Sequence, residues 1–194
     1  MDKYRATVLV HTTGWGRHME ELEERFPDVE FVRVDPNDPV PGDLVGEILF
    51  TLTFRPSNVA DLLDHGVRWV HSFGHGVDHL PLNLMDDLLV SCSRGVSAVP
   101  IAEWVLAMIL TAVKDLPISW ANEPPERWSW ANLGSVEGQT VALIGFGSIN
   151  RAVAERLQPF GAHLVATRRS GTGTDTHGVS LADTCAGAVS SADH

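Results

Sequence analysis

Two glycine-bearing stretches and an arginine pair hold the residue types that could do chemistry. In TVALIGFGSIN, Thr140 to Asn150, an apolar run leads into Gly145-Phe146-Gly147. In a turn of this kind the first glycine allows the tight bend and the second lets backbone approach a pyrophosphate. The helix that follows offers unpaired N–H groups and partial positive charge. Phe146, Ser148, Ile149 and Asn150 complete the turn and open the helix, so they join Gly145 and Gly147 as candidate cofactor contacts. Asn150 stands where a third glycine would complete GxGxxG. That glycine serves close helix-to-strand packing, so asparagine is expected to overpack and shift the helix rather than abolish the site. On this reading Asn150→Gly tightens dinucleotide binding or raises stability.

At the end of the next apolar run stand Arg168, Arg169 and Ser170, where a site selecting NAD would place an acidic residue for the ribose hydroxyls. Two guanidiniums and a hydroxyl suit a 2′-phosphate, because arginine binds phosphate through paired donors. NADP(H) is therefore expected in preference to NAD(H). The second glycine-bearing stretch is HSFGHGVDHL, His71 to Leu80. His71, His75 and His79 recur every four residues, a spacing that on a helix would align three metal ligands. Gly74 and Gly76 argue against a helix, so no metal is expected. A glycine-flanked loop after a strand instead presents backbone N–H groups to an anion, and a carboxylate would suit it.

The elements that must position these residues alternate. Ala6–His11, Val29–Val34, Gly46–Thr53, Arg68–Phe73 and Leu88–Ser93 read as strands, with helices over Met19–Phe26 and Asn58–Asp64 between them. This order predicts a parallel sheet covered on both faces. From Val99 the pattern changes to a continuous apolar helix, Val105–Val113, with Pro100 suited to its first turn. Trp120, Trp128 and Trp130 follow in an irregular stretch and are expected to pack, either between domains or subunits or onto their own domain. The glycine turn then lies in a βαβ unit of about thirty residues, with a helix over Arg151–Pro159 and a strand over His163–Thr167. The small-residue tail from Ser170 reads as having a single helix, Leu181–Val189. A two-stranded doubly wound sheet leaves an edge uncovered, so the sequence is expected to be cut short within a domain.

Bulk properties narrow the function classes. The chain has 194 residues, 44% hydrophobic and 20% charged, with 14 basic and 25 acidic side chains and a net charge of −11. General attraction to nucleic acid or anionic lipid is not expected at this charge, and any anionic ligand must be held by local geometry. No apolar run reaches the roughly 18 residues of a membrane span, and the first strand is too short for a secretory core, so a cytoplasmic protein is expected. Cys92 and Cys185 lie in unrelated contexts and imply no disulfide framework.

HSFGHGVDHL, then SRGVSAVPIAEWVLAMIL, then VEGQTVALIGFGSINRAVAERLQPFGAHLVATRRS resemble the N-terminal two-thirds of the D-isomer-specific 2-hydroxyacid dehydrogenases, particularly the glyoxylate and hydroxypyruvate reductase type. The resemblance implies an α/β protein: a flavodoxin-like parallel-sheet substrate domain over residues 1–98, then an incomplete Rossmann dinucleotide-binding domain over 99–194. It implies that backbone amides at His75 and Gly76 hold the substrate carboxylate, with Ser72 and Gly74 shaping the loop. Ser148 and Ile149 match positions that meet the cofactor diphosphate, and Arg168 falls on the acidic position of NAD-preferring members. Glu103 matches a family motif residue, for which helix capping is an adequate structural reason. The substrate arginine, the acid and the proton-passing histidine of the family are expected beyond His194, so no catalytic residue is assigned in this chain. A homodimer is implied for the full-length form, through the long helix and the arm after it. The expected activity is NAD(P)-dependent reduction of small 2-oxo acids, absent or weak in these 194 residues alone. A non-enzymatic nucleotide-sensing or partner-binding module, or an inactive truncated product, is the alternative.

Overall fold

The computed structural model describes residues 5–14, 16–52, 58–116, 120, 123–124, 134–169, 173–174 and 178–194. They form two compact units, divided between Arg94 and Gly95.

In the first unit, strands β1 (Ala6–His11), β2 (Val29–Val34), β3 (Ile48–Thr51), β4 (Trp69–Ser72) and β5 (Leu89–Cys92) make one sheet in the order β2-β1-β3-β4-β5, every pair parallel. This is the flavodoxin-like order, and its reversal point lies between β1 and β3. Helices α1 (Gly16–Arg25) and α2 (Val59–Leu62) occur between strands. The expected strands are found, β1 and β2 with the expected bounds and β3, β4 and β5 trimmed to the residues that share ladder bonds. The acidic helix begins three residues earlier than its apolar pattern indicated, and α2 is shorter than expected, with Gly66 beyond it at φ 86°. Both faces of the sheet are packed. Leu9, Leu49, Leu62 and Val70 are wholly buried in one cluster, and Val8, Val10 and Met19 form another. The alternation of Leu9 with Val8 and Val10 along β1 sends neighbours to opposite faces, as the two-residue period of a strand requires.

The second unit is built on β6 (Thr140–Leu143), α4 (Ser148–Leu157) and β7 (His163–Ala166), with α3 (Ala98–Val113) lying against α4. Ala98, Ala102, Val153, Ala154 and Leu157 bury their side chains together, and small residues on both helices permit this close approach. The outer surface of α3 leaves Trp104 and Met108 exposed, and Trp120 is exposed as well; Trp128 and Trp130 lie outside the described residues.

The tail departs from expectation. Leu181 belongs to a strand, β9 (Ser180–Leu181), which pairs in parallel with β7 and antiparallel with β8 (Gly173–Thr174). The helix over Leu181–Val189 shrinks to α5 (Cys185–Val189) because Thr184 caps it there, its side chain accepting from the Gly187 N–H at 3.0 Å. The sheet therefore runs β6-β7-β9-β8 rather than stopping at two strands, and Val179 and Ala188 are fully buried, Val179 within its core. The other edge of β6 is also engaged. The N–H groups of Asp193 and His194 donate to Thr140 O, and Ala142 N donates to His194 O at 2.8 Å, the alternation of a parallel bridge. Backbone groups of β6 are thus bonded on both of its sides.

Candidate functional site

The loop after β4 is held by its carbonyls. Gly74 O accepts from Ser93 N at 3.1 Å, His75 O from the Cys92 thiol at 3.4 Å, and Gly76 O from the Ser72 hydroxyl at 3.1 Å. In a trans peptide the N–H of the next residue points opposite to the carbonyl. The amides of His75, Gly76 and Val77 therefore point away from the partners that hold the preceding carbonyls. Ser72 is fully buried and anchors the loop: its Oγ donates to Gly76 O and accepts from Gly74 N at 3.2 Å. His79 Nε2 lies 3.4 Å from the same oxygen and, with the hydroxyl proton committed to Gly76, serves as donor. Gly74 is needed for space as well, because a Cβ there would sit 2.8 Å from Leu52 Cδ1. Ser72, Gly74, His75 and Gly76 are thus brought together as a unit, and Val77, assigned no role from sequence, joins them through its amide.

His71 is turned to other work. Its Nδ1 and Nε2 meet the hydroxyls of Ser91 and Ser93 at 2.9 and 3.1 Å, and among the described residues no cluster of three metal-ligating side chains exists.

A further buried histidine gave no sequence signal beyond ending a strand. His11 is fully buried, with Nδ1 2.8 Å from Thr51 Oγ1 and Nε2 2.7 Å from Asn58 Oδ1. The Asn58 amide nitrogen donates to Asp35 O and Asp38 O, which fixes its carbonyl toward His11 and makes Nε2 the protonated nitrogen. This network ties the ends of β1 and β3 to the turn after β2, at the reversal point of the first sheet.

Burial lowers the pKa of His11, opposed by the Asn58 hydrogen bond and by the charge of Asp35. Burial also lowers His71 and His79, the latter opposed by Asp78. Each group binds a proton more readily in the unfolded chain, so stability is complete above about pH 6.5 and falls as the pH drops from there toward the depressed folded values. The denaturation midpoint of the chain is expected to decrease between pH 7.5 and 5.5. A midpoint that holds constant or rises over this interval would contradict the neutral state of these rings in the folded chain.

In the second unit Gly145 takes φ 83°, a left-handed conformation that favours glycine. Gly147, extended at φ −90° and ψ −167°, forms the N-cap position of α4, and a Cβ built there meets nothing within 4 Å. Ser148 Oγ is buried without a hydrogen-bond partner among the described residues. Open space over Gly147, an orphaned hydroxyl and a ten-residue helix N-terminus together fit a diphosphate. The Phe146 side chain turns into the core under the Arg151 guanidinium, 5.1 Å from its ring centroid, so any cofactor contact there is through backbone. Ile149 packs partly against the same core. Arg168 and Arg169 are exposed just beyond β7; Ser170 lies outside the described residues.

The expected overpacking at Asn150 is not found. Its amide nitrogen donates to Gly145 O at 2.7 Å and to Ile144 O at 3.2 Å, so the side chain spans the turn instead of wedging the helix from the strand. The reason for the expected gain from glycine disappears with the crowding.

Residues 106–194 match the model of the D-isomer specific 2-hydroxyacid dehydrogenase NAD binding domain. That segment, most of the second unit, is similar to the NAD binding domain of the D-isomer specific 2-hydroxyacid dehydrogenases, and the relatives and solved structures support the same family. The mouse glyoxylate reductase/hydroxypyruvate reductase is 29% identical over 149 residues, covering 69% of this chain and 45% of that protein. The formate dehydrogenase of Candida boidinii is 26% identical over 163 residues, 78% of this chain and 40% of its own length. The chain thus spans less than half of these curated relatives. Among solved structures, the NADPH-dependent glyoxylate/hydroxypyruvate reductase of Sinorhizobium meliloti, in complex with NADP and malonate, shares the fold at TM-score 0.75 and 24% identity, covering 98% of this chain and 61% of that one. The holo form of Rhodotorula graminis D-mandelate dehydrogenase does so at TM-score 0.73 and 18% identity, with 97% and 64% covered. The turn Gly145–Asn150 lies within the matched segment, and the loop at Gly74–Val77 lies outside it.

Proposed function

We propose that this chain is the substrate-loop and cofactor-turn portion of an NADPH-preferring reductase of small 2-oxo acids such as glyoxylate or hydroxypyruvate. The observation that supports the substrate class is the run of carbonyls at Gly74, His75 and Gly76 held by Ser93, Cys92 and Ser72, which fixes the loop backbone as a site for a carboxylate would require. Residues 1–98 are the substrate domain in this reading and 99–194 the dinucleotide domain. Gly145, Gly147, Ser148 and Ile149 would hold the diphosphate, and Arg168 and Arg169 the 2′-phosphate, with Ser170 beside them. The nicotinamide, when bound, supplies the hydride. Exposed Trp104 and Met108 support a homodimer through α3, and the cytoplasm is the location in this reading.

Neither Glu103 nor His194 substitutes for a proton donor. Glu103 is exposed and 3.6 Å from Arg156, and His194 Nε2 is 2.8 Å from Gln139 Oε1 along β6. The 194-residue chain is therefore expected to bind NADPH without oxidising it when glyoxylate or hydroxypyruvate is added. Equilibrium titration followed by the cofactor's absorbance tests both points. Arg168→Asp should lower the NADPH-to-NADH affinity ratio about 10-fold, the scale of one charge-assisted hydrogen bond to a phosphate. An unchanged ratio would remove the NADPH assignment, and steady turnover would show that these residues supply a proton donor other than Glu103 and His194. Binding of cofactor without any effect of 2-oxo acids on it would favour the nucleotide-sensing reading.

A further inference from the structure

We infer that Asn150 is a positioning residue for the diphosphate turn, doing with a tether what a third glycine does with close packing; this rests on the dinucleotide reading above. Gly145 is gripped from both sides. Its N–H donates to Thr167 Oγ1 at 3.1 Å, and its C=O accepts from Asn150 Nδ2 at 2.7 Å. Thr167 is itself buried and joined to the sheet, its N–H donating to Leu143 O at 3.0 Å. Asn150 sits in the first turn of α4, where the Arg151 N–H bonds back to Gly147 O. One grip is therefore on the strand layer and the other on the helix that faces the diphosphate.

The need for such a clamp follows from the glycine. A Cβ at Gly145 would meet nothing within 4 Å, so the turn is held at this position by hydrogen bonds rather than by side-chain packing. A glycine can flip its flanking peptides at small cost, and each flip would reverse an amide in the approach to α4. Holding Gly145 C=O against Asn150 keeps the Phe146 N–H on the opposite side and removes that freedom before the ligand arrives. Preorganisation of this kind appears as affinity, because the cost of ordering is not met at binding. The second bond of Asn150, to Ile144 O, ties the end of the strand into the same grip.

The test compares the full 194-residue chain with Asn150→Leu and Asn150→Ala. Both variants are neutral, lack the donor, and have at least the helix propensity of asparagine, so a role in helix stability alone would leave binding unmoved. The dissociation constant for NADPH is expected to rise about 10-fold in each, on the scale of one preorganising hydrogen bond. That for adenosine 2′-monophosphate, which lacks the diphosphate, should stay within about 2-fold of the parent. Amide exchange at Gly145 and Phe146 should quicken in the unliganded variants while the thermal midpoint is kept. Parent-like NADPH affinity in both variants overturns the clamp and leaves the dinucleotide reading standing. Equal weakening for NADPH and adenosine 2′-monophosphate also overturns it, as general damage to the site. A parent chain that binds neither NADPH nor NADH at millimolar concentration overturns the dinucleotide reading and the clamp together.

Discussion

A chain carrying Gly147→Val is expected to fold as the parent does and to lose NADPH and NADH affinity by about 100-fold or more, near 2.7 kcal/mol of binding free energy. The two halves of this expectation have separate causes. The backbone at Gly147 is extended and a Cβ there meets nothing, so no core packing is disturbed. Valine is a poor N-cap, which sets a stability loss of about 1 kcal/mol as the ceiling. That same open space over the helix N-terminus is where a diphosphate must approach backbone, and a branched side chain would fill it. Paired measurements of thermal midpoint and cofactor affinity decide the matter. Retained affinity would mean that the empty space over Gly147 does not receive the ligand, and a collapsed midpoint would mean that it has a structural use.

Leu157→Ala should do the reverse, acting on the fold first. Leu157 is fully buried in the cluster that joins α4 to α3 and to the sheet of the second unit. Truncating a leucine at such a site costs about 2–5 kcal/mol through forfeited transfer energy and the cavity left behind. A domain of this size holds only about 5–15 kcal/mol in all, so the effect is a large share of it. The denaturation midpoint should fall markedly. Residual cofactor affinity should follow the folded fraction, because the turn itself is untouched. A destabilisation under about 1 kcal/mol by denaturant titration would show that neighbouring side chains close the cavity.

The two substitutions separate what each residue type contributes, and they mirror what is legible before the fold is known. The strands of the first unit are legible because short apolar runs bounded by turn residues have few other uses. Their parallel order follows from the helices between them. The loop after β4 and the glycine turn are legible because glycines at strand ends carry a backbone requirement that other residues do not meet cheaply. The tail is not: its small residues show no strong period, and Leu181 reads as helical although pairing with Ala166 makes it part of a strand. A two-residue strand has no pattern of its own, and its neighbour decides it.

Other features depend wholly on contacts between distant residues. The partners of His11, Thr51 and Asn58, are 40 and 47 residues away, and no local spacing reports them. Asn150 looks like a steric fault when set against a glycine pattern, yet its amide lies on the carbonyls of Ile144 and Gly145. The direction of the Val77 amide depends on Gly76 O being held by Ser72, four residues earlier on β4. By itself the sequence determined the alternating architecture, the positions of two glycine-bearing segments at strand ends and the family resemblance, since these rest on residue type and period along the chain. Only the tertiary structure decided which way carbonyls and side-chain amides point, because a hydrogen bond is directional and its partner is chosen by folding.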